Sequence, residues 1–333
     1  MHQDRLALYQ KIEEQFDAKV MAFVTGDRKG LETQIHKEVL GLMVHHLDVI
    51  GKSKRLALYL HSLGGDTIAG FSVVNLVRQF CDEFIVIVPY KALSAATLIS
   101  LGADQVYMTK QACLGPIDPS VNGPLNPHVP GHPPTVKAPV SVEAVSGFFE
   151  FAKEHCGEDA KSEAFKSLCE NVHPLVIGQV FRAKTQIRML AERFLNIHLD
   201  SPTPKKIDKI LKFLCSESGS HDYAINREEA GKDLELSIQK PNDNQYTVIW
   251  DIFQDIQSDL ELNHPYDPQI VIGAGSSINY SLRRGIIESV DGGCHYFVSE
   301  GTLAKQNVPM PGGMGIGIQD TRTFEGWRHE PKQ

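Results

Sequence analysis

Short apolar runs alternate with amphipathic segments in the first third of the chain. Residues 55–60 (RLALYL) and 84–89 (FIVIVP) are mainly apolar, and a shorter run of the same kind follows at 105–108. The segments between them, 69–80 and 94–102, have the spacing of apolar positions that helices show. Strands that are apolar on both faces and alternate with helices are typical of a parallel sheet covered on both sides. The pattern therefore predicts an α/β fold.

The remainder of the chain is less regular. Residues 37–50 and 174–199 have the pattern of amphipathic helices. Residues 115–139 contain eight prolines, which excludes a regular helix or a central strand and predicts an ordered loop or a mobile flap over the site. Farther on, the pattern predicts a helix over 246–262 and a strand over 268–273.

Composition narrows the class of protein. The chain is 42% hydrophobic and 22% charged, with a formal net charge of −8, which argues against a nucleic-acid or anionic-membrane partner. Its six cysteines are scattered without a CxxC pair, so we expect free thiols in a reducing compartment, with no disulfide and no metal site. No run has the length and apolar character of a signal peptide or a membrane span. These features predict a soluble, cytoplasmic protein.

Two segments supply parts of an acyl-transfer site. Such a site needs a nucleophile, a base and hydrogen-bond donors for the oxyanion. The paired glycines Gly64 and Gly65 lie between a strand and a helix, where they allow unusual backbone angles and close approach of N–H groups to a ligand. Ser94 follows 29 residues after Gly65, between the next strand and its helix. We therefore predict Ser94 as nucleophile and the N–H groups of Gly65 and Ala95 as the oxyanion hole.

Each element alone also has a structural explanation. A glycine pair is common in tight strand-to-helix turns, and a serine is a common helix N-cap, so the evidence is the combination. Ser62 and Asp66 are both expected to cap the helix after the glycine pair. Cys113 is expected to be a buried thiol rather than a nucleophile.

The segments LYLHSLGGDTIAGFSVVNLVR and SAATLISLGADQVYMTKQACLGPIDP resemble the serine dehydrogenase proteinase family. That family is part of the ClpP/crotonase superfamily and is similar to signal peptide peptidase A. The resemblance covers residues 55–120 well and 215–235 moderately. It implies a spiral of ββα units around a parallel sheet, with a peptidase domain over 1–237 and a C-terminal extension over 238–333. It also implies a serine-type endopeptidase that acts on peptides or unfolded protein and assembles into homo-oligomers.

The sequence offers three candidates for the base, and Lys137 is favoured over His221 and Asp118. Where ClpP has its histidine, this chain has CLGPIDP, with Ile117 or Asp118 in that place, and Asp118 is the third candidate. Lys137, 43 residues after Ser94, has a placement that resembles the general-base lysine of Ser-Lys relatives, although a solvated loop lysine fits the sequence equally well. His221 is the second candidate, although an exposed turn histidine also fits the sequence. Its neighbour Asp222 takes the place of the ClpP triad aspartate when the chains are matched on the EA pair of NREEAGKD.

Two other functions remain open at this point. The same fold hosts acyl-CoA hydratases and isomerases, in which two N–H groups hold a thioester enolate. A catalytically inactive scaffold or binding protein would explain the missing ClpP-type histidine. The position of Ser94 and the LGPIDP segment favour the peptidase, for which we expect no cofactor.

Overall fold

A mixed sheet of eight strands runs through the molecule. The structure, a computed structural model, describes residues 2–157, 160–217, 220, 222–310 and 313–330. In this part of the chain the strands are β1 (Lys19–Thr25), β2 (Ser53–His61), β3 (Cys81–Val88), β4 (Lys91–Ala92), β5 (Gln105–Met108), β6 (Cys113–Leu114), β7 (Ser120–Val121), β8 (Val140–Ser141), β9 (Ile225–Asn226), β10 (Ile238–Gln239), β11 (Ser277–Ser289), β12 (Gly293–Met310) and β13 (Gly313–Glu330). The order in the large sheet is β10-β5-β3-β2-β1-β11-β12-β13.

The direction of the strands changes within this sheet. From β10 to β1 all neighbours are parallel, as the apolar runs predict. From β1 onward the neighbours are antiparallel, with β11 paired to β1 and the long strands β12 and β13 following outside it. The α/β class is confirmed, and strands from beyond residue 238 continue the same sheet. The division into domains at that residue stays a prediction.

Helices cover both faces of the parallel part. They are α1 (His2–Phe16), α2 (Val39–Ile50), α3 (Thr67–Val77), α4 (Ala95–Leu101), α5 (Val142–Cys156), α6 (Ala160–Asn171), α7 (Pro174–His198), α8 (Pro204–Lys212), α9 (Arg227–Lys232), α10 (Asp243–Asp259) and α11 (Pro268–Ile272), with a short π-helix at Phe213–Glu217. Successive residues of a strand face opposite sides of the sheet. Met21 and Phe23 of β1 therefore pack with α2, α3, α4 and α7, while Ala22 and Val24 pack with α1 and α10.

One predicted strand is wrong. Residues 268–272 form the helix α11, whereas the sequence pattern predicts a strand over 268–273. Asp267 accepts a hydrogen bond from the N–H of Gln269 at 2.8 Å, and Pro268 occupies the first turn, where its missing N–H costs nothing. A short apolar run alone does not distinguish a strand from a buried helical turn, and the cap decides between them here.

A buried ionic network joins the first helix to later parts of the chain. The guanidinium of Arg5 is fully buried; its Nε donates to Glu288 Oε2 at 3.0 Å, and it also pairs with Asp255 and Asp259. The hydroxyl of Tyr9 donates to Glu288 at 2.9 Å. These contacts tie α1 to α10 and β11.

A second polar cluster lies between α2 and the strands β11 to β13. The buried His46 has Nδ1 2.8 Å from Ser289 Oγ and Nε2 2.9 Å from His295 Nδ1. The rings of His45 and His329 lie 5.4 and 4.5 Å from the ring of His295. Burial, reinforced by repulsion from the neighbouring histidines, lowers the pKa of His46 to about 3.

This depressed pKa predicts an acid-sensitive fold. Below about pH 6.5 His46 is protonated in the unfolded chain but stays neutral in the folded protein, because its folded pKa is about 3. Acid therefore favours the unfolded chain: the contribution of His46 to stability is complete above about pH 6.5 and is lost progressively toward pH 3. At about 1.4 kcal/mol per pH unit, we expect a loss of about 2 kcal/mol between pH 7 and pH 5. Urea unfolding of the wild type and of His46→Gln at both pH values measures it. The variant should lose less stability than the wild type, and an equal loss in both would contradict the assignment.

Within the described residues, no helix combines the length and the apolar composition needed to cross a membrane.

Candidate active site

Ser94 occupies a strained turn between β4 and α4. Its backbone angles are φ 52° and ψ −115°, on the side of the map that residues with a Cβ avoid. Such a conformation costs about 1–3 kcal/mol and persists only where the surroundings impose it. Here the N–H of Ala96 donates to Leu93 O at 2.9 Å, and that of Leu98 donates to Ser94 O at 3.0 Å. Strained strand-to-helix turns present the nucleophile in the α/β-hydrolases.

The glycine pair lies directly against this turn, as the sequence predicts. A Cβ on Gly64 would lie 2.7 Å from the Cβ of Ser94 and 2.8 Å from Leu93 O. A Cβ on Gly65 would lie 2.4 Å from Ile35 O, and both glycines have positive φ, at 106° and 146°. Only glycine fits at either position, because there is no space for a side chain and the backbone angles disfavour one.

Backbone pairing determines which amides of this loop stay available. The N–H of Ile35 donates to Gly64 O at 2.8 Å, and the N–H of Asp66 donates to Ile35 O at 2.9 Å. Because this pairing uses the groups on either side of Gly65, the N–H of Gly65 points away from Ile35. The N–H of Ala95, the first residue of α4, has no acceptor within its own helix. In the part of the chain that the structure describes, neither N–H donates a hydrogen bond.

Asp66 and Ser62 have different partners, although both are predicted as caps. Asp66 Oδ1 accepts from the N–H groups of Ile68 and Ala69 at 2.8 and 3.2 Å and caps α3. The prediction for Ser62 is wrong, because its Oγ accepts from the N–H of Gly64 at 2.9 Å instead.

The described candidate bases differ in their exposure to solvent. Lys137 is exposed on the proline-rich loop, where it pairs with His128 in an isolated β-bridge. Asp118 is buried, at 5% exposure. Asp222 is exposed, with its N–H donating to Ser220 Oγ at 3.2 Å, and His221 lies outside the described residues. Among the described residues, no hydrogen bond joins Ser94 to Lys137 or Asp222, so the assignment of the base stays a prediction.

Asp27, His61 and Lys91 form a hydrogen-bonded cluster at the carboxyl ends of β1 and β2, which the sequence pattern does not predict. His61 Nε2 is 3.2 Å from Asp27 Oδ1, the N–H of Lys91 donates to His61 Nδ1 at 3.3 Å, and Lys91 Nζ donates to Asp27 Oδ2 at 2.7 Å. Burial favours a higher pKa for Asp27, but hydrogen bonds and attraction from His61 and Lys91 outweigh it and hold that pKa well below its usual value. Both ring nitrogens of His61 are occupied, so this histidine stabilises the strand ends and has no nitrogen left for a base.

No metal site accompanies these groups. Within the described ranges, no three histidine, cysteine or acidic side chains are arranged to hold a metal ion.

The comparison with protein families bears on the segment that contains the serine and the glycine pair. Residues 37–129 match the model of the ClpP-like SDH-type serine proteinases. We call residues 37–129 the ClpP-like segment, because they are similar to this family. The resemblance to the serine dehydrogenase proteinase family is thereby confirmed.

Two relatives are uncharacterised proteins of Methanocaldococcus jannaschii. One is 28% identical over 203 residues, which are 61% of this chain and 60% of the relative. The other is 25% identical over 182 residues, which are 55% of this chain and 50% of the relative. The chain thus spans about half to three fifths of the length of these relatives.

Three solved structures that are similar to the chain are named as proteases or their mutants. One is a mutant of the 1510-N membrane-bound stomatin-specific protease; it is 12% identical, the match covers 73% of this chain and 86% of that chain, and the TM-score is 0.39. Another mutant of the same protease, in complex with a substrate peptide, is 13% identical; the match covers 68% of this chain and 78% of that chain, and the TM-score is also 0.39. The third is a ClpP1 mutant from Listeria monocytogenes, 12% identical, with 71% of this chain and 99% of that chain covered and a TM-score of 0.36.

The ClpP-like segment contains some of the predicted site residues and not others. Gly64, Gly65, Ser94, Ala95 and Asp118 lie within it. The remaining candidates, Lys137, His221 and Asp222, lie beyond its end. The family match therefore covers the predicted nucleophile and oxyanion donors but not the favoured base.

Proposed function

We propose that this chain is a serine endopeptidase that cleaves peptide bonds through an acyl-enzyme on Ser94. The observation that carries the proposal is the turn at Ser94, with φ 52° and the glycine pair in direct contact. A strained turn beside two unpaired N–H groups has no evident structural benefit, and strain of this kind is concentrated at functional sites. The ClpP-like family of the segment supports the same conclusion.

The proposed reaction has two halves. Ser94 Oγ attacks the carbonyl carbon of the substrate while a base accepts the hydroxyl proton. The negative charge that develops on the carbonyl oxygen is stabilised by hydrogen bonds from the N–H groups of Gly65 and Ala95. The protonated base then gives its proton to the leaving amine, and water releases the acyl group by the same steps.

Lys137 is the base that we favour, with His221 as the alternative and Asp222 in support. A lysine accepts a proton at neutral pH only when it is desolvated, and Lys137 is exposed in the isolated chain. Its role therefore requires that bound substrate or another copy of the chain covers the proline-rich loop. Asp118, near the start of that loop, is proposed to contact substrate.

The free backbone of the glycine loop suggests the kind of substrate, and exposed apolar side chains on nearby helices suggest self-assembly. An extended peptide or unfolded protein segment would add to the backbone of the glycine loop by β-augmentation. Large apolar side chains exposed on α5, α6 and α7, at Phe151, Phe165, Leu175 and Phe181, support self-association into a homo-oligomer. The free cysteines agree with a cytoplasmic location.

A fluorophosphonate probe tests the proposed activity. We expect the wild type to be labelled on Ser94, as mapped by peptide mass spectrometry, and Ser94→Ala to remain unlabelled. Ser100→Ala is the matched control, because Ser100 lies in the same helix with its Oγ donating to Ala96 O at 2.9 Å. Lys137→Ala and His221→Ala identify the base through the pH dependence of the labelling rate.

The alternatives give different results in the same experiment. Folded wild type that stays unlabelled but binds an acyl-CoA would favour a hydratase or isomerase. A folded protein that does neither would favour a binding protein.

A further inference from the structure

Two buried hydroxyl groups lie next to the glycine pair. Thr25 is the last residue of β1 and Ser62 follows β2; both are fully buried. Thr25 Oγ1 donates to Ser62 Oγ at 2.6 Å, and the N–H of Gly64 donates to the same oxygen at 2.9 Å. The hydroxyl of Ser62 thus accepts two hydrogen bonds, which uses its acceptor capacity fully.

The backbone of Ser62 is bound to the turn that carries Ser94. The N–H of Ser62 donates to Lys91 O at 3.0 Å, and the N–H of Leu93 donates to Ser62 O at 3.0 Å. Leu93 is the residue immediately before Ser94. Ser62 is therefore held to the nucleophile turn by its backbone and to the glycine loop by its side chain.

This arrangement distinguishes the two glycine amides. Because the N–H of Gly64 is bound to Ser62 Oγ, it is not available to an oxyanion. The N–H of Gly65 is free and points away from Ile35. The hydrogen bond to Ser62 holds the peptide group before Gly64, and the pairing with Ile35 holds the peptide group after it. Both are needed, because glycine backbone has little conformational preference of its own.

We propose that Ser62, oriented by Thr25, is a positioning residue that holds the glycine loop so that the N–H of Gly65 faces the oxyanion formed at Ser94. The inference rests on the proposed function. Ser62 itself does not touch the substrate: it is fully buried and acts through Gly64.

Saturation kinetics of fluorophosphonate labelling test the positioning role. In Ser62→Ala the N–H of Gly64 loses its acceptor, and we expect the maximal labelling rate to fall about 10- to 100-fold, with the half-saturating probe concentration changed by less than about 3-fold. Ser62→Thr keeps the acceptor oxygen and should recover most of the rate. Thr25→Val removes only the donor to Ser62 and should lower the rate by a smaller factor.

A matched control and a direct readout separate positioning from general damage. Ser72→Ala removes a hydroxyl in the adjacent helix, where Ser72 Oγ donates to Ile68 O at 2.8 Å, and should label at the wild-type rate. Amide exchange at Gly64 should be slow in the wild type and faster in Ser62→Ala. If Ser62→Thr does not fold, Thr25→Val together with the exchange of Gly64 decides the question.

The possible outcomes distinguish this inference from the proposed function. A wild-type maximal rate in folded Ser62→Ala would overturn the positioning role while Ser94 remains the nucleophile. An equal loss in Ser62→Ala and folded Ser62→Thr would also overturn it, because the oxygen would then not be what matters. Wild type that is not labelled at all would overturn the proposed function, and the catalytic role of Ser62 with it.

Discussion

Ser94→Gly is expected to abolish labelling and yet to yield a more stable protein than Ser94→Ala. Both variants lose the nucleophile, so neither should react with a fluorophosphonate or hydrolyse a peptide at a measurable rate. They differ in backbone strain, because alanine retains the Cβ at φ 52° and ψ −115° and glycine does not. Relief of about 1–3 kcal/mol of strain, less about 0.5–1 kcal/mol for the greater backbone entropy of unfolded glycine, leaves a net gain of about 1 kcal/mol.

Urea unfolding of the two inactive variants measures this difference directly. Gly147→Ala against the wild type is the opposite control: Gly147 lies in α5 with no atom within 4 Å of an added Cβ, so alanine should be the more stable residue there. If Ser94→Gly is less stable than Ser94→Ala, the turn at Ser94 is not strained. If either variant is still labelled, the nucleophile is another residue.

Arg5→Met is expected to destabilise the protein by about 3–5 kcal/mol, since it leaves Glu288 as a buried charge without its cation. The side chains of Arg5 and Glu288 are both fully buried. The hydroxyl of Tyr9 at 2.9 Å and the thiol of Cys294 at 3.2 Å still donate to Glu288 in the variant, but both are neutral donors. Methionine fills most of the volume of the arginine stem, so the loss is mainly electrostatic. The free energy of unfolding in urea at pH 7 is the measurement.

Two comparisons isolate the buried charge. The double variant Arg5→Met/Glu288→Gln removes the unpaired carboxylate and should recover a substantial part of the loss. Arg188→Met breaks an exposed ion pair with Asp208 and should leave the unfolding midpoint nearly unchanged. A small effect of Arg5→Met would show that α1 is not held to β11 through this network.

The pattern of apolar residues predicts an element correctly where the residues of that element alone determine its structure. The apolar runs at 55–60 and 84–89 became the central strands β2 and β3, because continuous burial on both faces leaves a clear signal in the sequence. The pattern failed at 268–273, where a short apolar run fits either kind of element. It also gave no sign that β11 pairs with β1, since strand pairing between residues that are far apart in the chain depends on the whole fold.

The residues of the candidate site show the same contrast between what nearby residues determine and what distant residues determine. Ser94 and the glycine pair were found from order, spacing and family resemblance within about 30 residues of sequence. The long-range contacts nearby were not found: Thr25 is 37 residues before its partner Ser62, and Asp27 is 64 residues before its partner Lys91. Hydroxyl and carboxylate side chains at such distances have no periodic pattern that links them.

The sequence by itself determined the alternation of strands and helices, the candidate nucleophile and the glycine pair beside it, because each of these depends on neighbouring residues. Only the tertiary structure decided that Ser94 adopts a strained conformation, that Gly65 rather than Gly64 has a free N–H, and that Ser62 joins both halves of the site. Those properties depend on hydrogen bonds between residues that are far apart in the chain, such as Thr25 with Ser62 and Ile35 with Gly64, and these residues meet only in the folded protein.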